Sequence, residues 1–245
     1  MTETMTATPA ATGTSRNLAA RMVGILLAPR ATYAEVAARP RWAGAFFALF
    51  LITTAAATAF LSTEVGRVAV VDQQIAQAES YGVRLTQVQL DAIEARSRSY
   101  VYLAPLFQLG ALTLGSLIVA GIAFAVFTAM LGADATFKQV FAVVVHSWVV
   151  PAVLAVFSTP LAYARESVAG TTNLAVFLPF LDESSFAARA LGAIDLVYIW
   201  WIVSLAIGLG VLYRRRTAPI ATSLLVIYAS IGLIIATIKT VVSGV

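Results

Sequence analysis

Five stretches of this chain run for about 20 residues or more with almost no charge, at about 43–63, 102–130, 137–163, 193–213 and 220–242. Some 20 helical residues at roughly 1.5 Å each cross a hydrocarbon core of about 30 Å, so each stretch is long enough to span a bilayer. The apolar runs are continuous rather than alternating, which argues against the lumen-in, lipid-out strands of an outer-membrane barrel. The expected fold is therefore all-α: a polytopic integral membrane protein with five transmembrane helices.

Composition agrees. Of the 245 residues, 60% are hydrophobic and 11% charged, against roughly 45–50% and 25% in an ordinary soluble domain. The chain has no cysteine and one histidine, which excludes disulfides, thiolate chemistry and any multi-histidine metal site. No cofactor or metal is expected. The net charge of +4 does not point to nucleic acid, because its densest part, Arg214, Arg215 and Arg216, directly follows an apolar run, as cytoplasmic loops do.

Those arginines set the orientation. Residues 1–42, the turn near 131–138 and the segment 214–219 together hold nine basic residues: Arg16, Arg21, Arg30, Arg39, Arg41, Lys138 and the three arginines. The other face holds seven: Arg67, Arg84, Arg96, Arg98, Arg165, Arg189 and Lys239. Short loops and span flanks weigh most under the positive-inside rule, so the N-terminus is expected in the cytoplasm and the C-terminus outside. The expected location is a bacterial inner (plasma) membrane. No signal peptide is evident, since the start carries Glu3 and the first long apolar run begins near Ala43.

Residues 1–15 are small and polar, and are expected to form a disordered tail. Residues 16–42 are too short and too basic to cross. Leu18, Met22, Ile25 and Leu26 fall at helical spacing with Arg16 and Arg21 toward other faces, which fits an N-terminal interfacial helix in the headgroup plane, or else a loosely ordered cytoplasmic segment. Pro29 should stop this helix, Thr32 with Glu35 should open a second one as a capping box, and Pro40 should close it. Residues 64–101 are expected to form an outer helical hairpin turning at Gly82, with Thr86 and Gln89 capping its second arm. Val68, Val71, Ile75, Leu85, Val88 and Ile93 would zip the arms together or face a partner. The connection 164–192 carries Phe177, Leu178, Phe180 and Leu181, too apolar for a solvated loop, and reads as interfacial or re-entrant.

The order of these features resembles the Yip domain family, membrane proteins named for interaction with Ypt and Rab GTPases, and in particular its bacterial branch. The resemblance covers roughly residues 17–240 and rests on NLAARMVGILLAPRATYAEVAARPRW, on GADATFKQVFAVVVHSWVVP and on LGAIDLVYIWWIVSLAIGLG. It implies an all-helical membrane domain with a cytoplasmic N-terminus; eukaryotic members act in vesicle traffic and membrane shaping. The Asp-Leu-Tyr-Gly-Pro type segment that eukaryotic members carry before the first span has no match here, so GTPase binding is not carried over.

The polar residues within the spans are the candidate sites. His146, nine residues into the third span, lies about 13 Å deep if the helix starts at Phe137. An ionisable group there is either a working site, for proton relay or substrate contact, or structural glue between helices. Asp195, 18 residues from Tyr213, lies about 27 Å away, near the outer interface. Interfacial capping or a partnership with Arg189 is expected of it, and no ion pair with His146. Lys138 should snorkel to phosphate headgroups. Pro151 and Pro160 should kink the third span, and Ala206–Gly210, Ala111–Gly115 and Gly121–Ala125 are small-residue spacings that permit close helix contact.

Nothing in the sequence matches a nucleophile elbow, a His-Glu-x-x-His zinc motif, a phosphate-binding loop or a close pair of intramembrane carboxylates. The function expected is thus non-catalytic: an adaptor, scaffold or membrane-organising protein in contact with the lipid bilayer, an unidentified membrane or envelope protein and its own copies. The alternative is a small-solute or ion transporter or channel built around His146.

Overall fold

The computed structural model describes residues 17–168, 172–178, 180–182 and 185–243. The expected tail 1–15, Arg16 and parts of the 164–192 connection lie outside the described residues. Eleven α-helices make up most of the rest: α1 (Leu18–Leu27), α2 (Pro29–Ala38), α3 (Ala43–Leu61), α4 (Glu64–Ser80), α5 (Gln87–Ser97), α6 (Tyr100–Phe124), α7 (Phe137–Ser147), α8 (Val149–Ala164), α9 (Phe186–Gly192), α10 (Leu196–Leu212) and α11 (Thr217–Ser243). A π-helical turn, Ala125–Met130, extends α6, and a 3-10 turn, Leu174–Phe177, precedes α9.

Among the described residues, four helical runs are long and apolar enough to cross a membrane: Ala43–Leu61, Tyr100–Met130, Phe137–Ala164 and Thr217–Ser243. The chain is accordingly a multi-pass membrane protein. The fifth expected stretch forms α10, which is 17 residues long, or about 25 Å. It is shorter than the apolar run because the Asp195 carboxylate caps it, accepting from the Val197 amide at 2.7 Å, and the chain ahead of Asp195 turns away. The capping expected of Asp195 is found. Arg189 does not pair with it; its Nη1 donates instead to Ser243 Oγ at 2.7 Å.

Two ends of the bundle can be told apart. At one, Thr128 and Tyr213 share a hydroxyl–hydroxyl hydrogen bond of 3.2 Å, and Phe127 stacks on Tyr213 with centroids 4.7 Å apart. Arg30 and Arg214–Arg216 also lie here, so it is called the arginine end. At the other, Lys239 sits 4.9 Å over the Tyr81 ring, and Tyr100 Oη donates to Gln74 Oε1 at 3.1 Å. Here α4 and α5 meet each other, joined through Gly82, which adopts φ 73° and lies against Val242 of α11. Thr86 and Gln89 form the capping box of α5. Of the hydrophobic positions between these arms, Val71 is buried, whereas Val68 and Val88 are exposed.

The Phe137–Ala164 run is the centre of the molecule, with every residue from Val140 to Ser147 buried. A capping box of Thr136 and Gln139 starts α7. The run breaks at Trp148, three residues before Pro151, because proline brings no amide to the Ser147 carbonyl and the helix restarts as α8.

The N-terminal segment departs furthest from expectation. Asn17 caps α1, its side chain accepting from the Ala20 amide at 2.8 Å. The second helix opens at Pro29, where proline's fixed φ suits the first helical position, and not at Thr32, whose hydroxyl donates back to the Ala28 carbonyl at 3.0 Å. Both helices pack against the bundle. The first, α1, touches α3, α7 and α8, while α2 runs along α10 and α7. Ile25, Tyr33 and Val36 are buried in the main core, and Arg21 is buried too. The pair forms a wedge set into the arginine half of the bundle.

Candidate functional site

Where the wedge meets α7 and α10, a seam of polar groups is closed off from the surroundings. Tyr33 of α2 and Ser204 of α10 share a buried hydroxyl–hydroxyl hydrogen bond of 2.9 Å. This contact depends on Gly208, one turn along α10, where a Cβ would come within 2.6 Å of Val143 Cγ1 and 2.9 Å of the Tyr33 ring. Ser204 and Gly208 are themselves a small-xxx-small pair, so the helices approach where the smallest side chains allow.

His146 occupies the same seam and is fully buried. Its Nδ1 lies 2.7 Å from the Ala142 carbonyl. A carbonyl only accepts, so Nδ1 carries the proton. Nε2 is buried without a partner, and on the neutral ring that leaves one lone pair unmet, whereas an imidazolium would leave a donor unmet. Arg21 is near enough for its charge to act on His146, and its own Nε is buried without a partner.

One turn further, Trp201 Nε1 donates to Ser147 Oγ at 2.9 Å, and that hydroxyl donates to the Val144 carbonyl at 2.7 Å. Trp148 stacks on Trp201 with centroids 4.7 Å apart. The hydroxyl adjoining His146 in sequence is thus committed to its own helix and to an indole, away from the imidazole. Ser116 of α6 is fully buried with its Oγ unpartnered. Among the described residues, no group of three or more His, Cys, Asp or Glu could hold a metal ion.

The other candidate residues lie elsewhere. Asp195 accepts from Thr172 Oγ1 at 2.6 Å as well as from the Val197 amide, and its own amide donates to Tyr228 Oη at 2.9 Å, halfway along α11. Those contacts hold it away from His146, as the difference in depth requires. Lys138 is exposed in the first turn of α7, at the rim of an apolar groove lined by Trp42, Phe47 and Phe141. Arg214, Arg215 and Arg216 are exposed and share a cleft with Arg30, whose Nη2 lies 3.5 Å from Thr217 Oγ1.

Sequence reasoning found His146 but did not bring Arg21 toward it or pair Tyr33 with Ser204 across Gly208. The signal for α10 was present: Ser204, Ala206, Gly208 and Gly210 alternate with large residues. Of the small-residue spacings singled out, Gly115 does lie against Trp148, with 3.5 Å from its Cβ position to Cζ2. Gly121 has open space around it.

The Yip1 domain matches residues 23–238 of the chain. No curated protein and no solved structure matches it. The matched stretch runs from within α1 to within α11 and takes in everything between, and so this multi-pass membrane protein belongs to the Yip1 domain family.

Proposed function

We propose that the chain is a non-catalytic scaffold or adaptor that organises a bacterial inner membrane or a protein complex within it. In this reading it crosses five times, with α10 as the short fifth span. The arginine end faces the cytoplasm, and α4 with α5 forms a hairpin on the outer side.

The observation that carries the reading is how the seam spends its polar groups. Tyr33, Ser204, Ser147 and Trp201 pair with one another or with backbone carbonyls, and His146 is sealed between helices. A transport path needs polar groups that face a continuous hydrated route. Instead Tyr33–Ser204 joins the wedge to α10 and Trp201–Ser147 joins α10 to α7, as interhelical hydrogen bonds do in lipid.

What such a scaffold offers outward is hydrophobic surface at both ends. Leu27 of α1 is 80% exposed and Val88 of α5 is 78% exposed. Photo-crosslinking residues placed at these two positions, followed by copurification from native membrane, test the proposal. A discrete protein partner or a second copy of the chain at either position is the expected result. The transporter reading rests on the unmet Nε2 of His146 and the nearby charge of Arg21. It would be favoured instead by His146→Leu abolishing uptake of a solute into proteoliposomes while the protein stays folded.

A further inference from the structure

On the α4–α5 side of the wedge, helices α3, α6, α8 and α10 line a half-open cavity of about 400 Å³. Its wall includes no Asp, Glu, Lys, Arg or His, so its occupant is neutral at this depth. The floor is mostly apolar, with Leu49 and the Trp148 ring, whose Nε1–H is buried without a partner. The polar lining residues are Thr53, Gln108, Thr159 and Tyr198.

Hydrogen-bond accounting identifies what these groups lack. Thr53 donates to the Leu49 carbonyl at 2.8 Å, and Thr159 to the Ala155 carbonyl at 2.7 Å, so both hydroxyl protons are already used. Gln108 and Tyr198 make no side-chain hydrogen bond to another described residue. Gln108 is eight residues from the start of α6 at Tyr100, or about 12 Å along the helix. Tyr198 lies in the first turn of α10. Gln108, half-buried within its span, has no bulk water to satisfy its amide and must find a partner in protein or lipid, whereas Tyr198 is 46% exposed and stands nearer the α4–α5 end of the bundle. Both can donate, and both can also accept. An acceptor carried on an apolar body complements their N–H and O–H groups, and it matches the volume and mixed lining of small-molecule sites between bundle helices, about 300–1,000 Å³.

We propose that this cavity holds a glycerolipid taken from the leaflet on the α4–α5 side, its ester carbonyl accepting from Gln108 and Tyr198 and its acyl chain running down to Leu49 and Trp148. No residue of the wedge lines this cavity, so the site stands or falls independently of the scaffold reading.

The test uses the full chain reconstituted in phosphatidylcholine vesicles that contain phosphatidylcholine with a diazirine midway along one acyl chain. After irradiation, adducts are mapped by peptide mass spectrometry. Adducts should concentrate on cavity residues of α3 and α8 relative to the outward, exposed Leu114, Ile118 and Ile122 of α6. Gln108→Leu should lower the cavity adducts about fivefold, the factor that one net hydrogen bond of about 1 kcal/mol confers, and leave the outward adducts unchanged. Ala155→Phe should abolish the cavity adducts by filling the space. Should that variant fail to fold, Gln108→Leu, close in size to the native residue, decides alone. Labelling spread evenly over cavity and outward residues, or cavity labelling unmoved by Gln108→Leu, overturns the proposal.

Discussion

Gly208 sits where α2, α7 and α10 come together, and any side chain there must displace Val143 or Tyr33. Gly208→Ala is therefore expected to destabilise the protein by about 1–3 kcal/mol, the usual cost of overpacking. Unfolding by SDS titration of detergent-solubilised protein measures this. The Tyr33–Ser204 bond can be isolated by a double-mutant cycle. Tyr33→Phe and Ser204→Ala each remove one hydroxyl, and their coupling energy should be about 0.5–1.5 kcal/mol. A coupling of zero would mean that the two hydroxyls do not hold α2 to α10. His146 is a different case. Its one hydrogen bond is to its own helix and its Nε2 is unmet, so the apolar His146→Leu should keep stability within about 1 kcal/mol of the wild type, because replacement removes an unsatisfied polar atom. A loss several times larger would show that the imidazole holds something the bundle needs.

At the level of elements, the decisive contact is that of α1 with the first turn of α3, where Leu18 Cδ2 lies 3.5 Å from the Cβ position of Gly44. The chain has no native cysteine, so Leu18→Cys with Gly44→Cys gives a clean probe. Oxidation should consume both thiols in an intramolecular disulfide. A helix lying free in the headgroup plane would leave both reactive. Local signals for the elements were well placed in the sequence. The long apolar runs, the capping box at Thr86 and the stop ahead of Pro29 all depend on residues a few positions apart, whereas the box expected at Thr32 gave way to a start at Pro29. The burial of Arg21 was not legible. It depends on what α3, α7 and α8 present to α1, and a pattern of four apolar residues on a short helix fits a membrane surface and a protein surface equally well. His146 was legible as an intramembrane ionisable group, whereas its seam was not, because Tyr33 and Ser204 are 171 residues apart.

For the molecule as a whole, the contacts at each end sort the helices consistently. Thr128 with Tyr213 and Arg30 with Thr217 lie at one end; Arg189 with Ser243 and Lys239 with Tyr81 lie at the other. In the proposed reading α3, α6, α7–α8, α10 and α11 all run between these ends, an odd number of crossings. The short α10 is what this count depends on, because its 17 residues fall below the usual bilayer length of about 20 and Asp195 halts it beside Tyr228. The measurement that tests the account most directly is labelling of single cysteines in intact cells with a membrane-impermeant maleimide, at Ser80→Cys, Ala175→Cys and Arg215→Cys. The account predicts labelling at positions 80 and 175 and none at 215 until the membrane is opened. Labelling of 215 from outside, or of 80 and 215 alike, would contradict it.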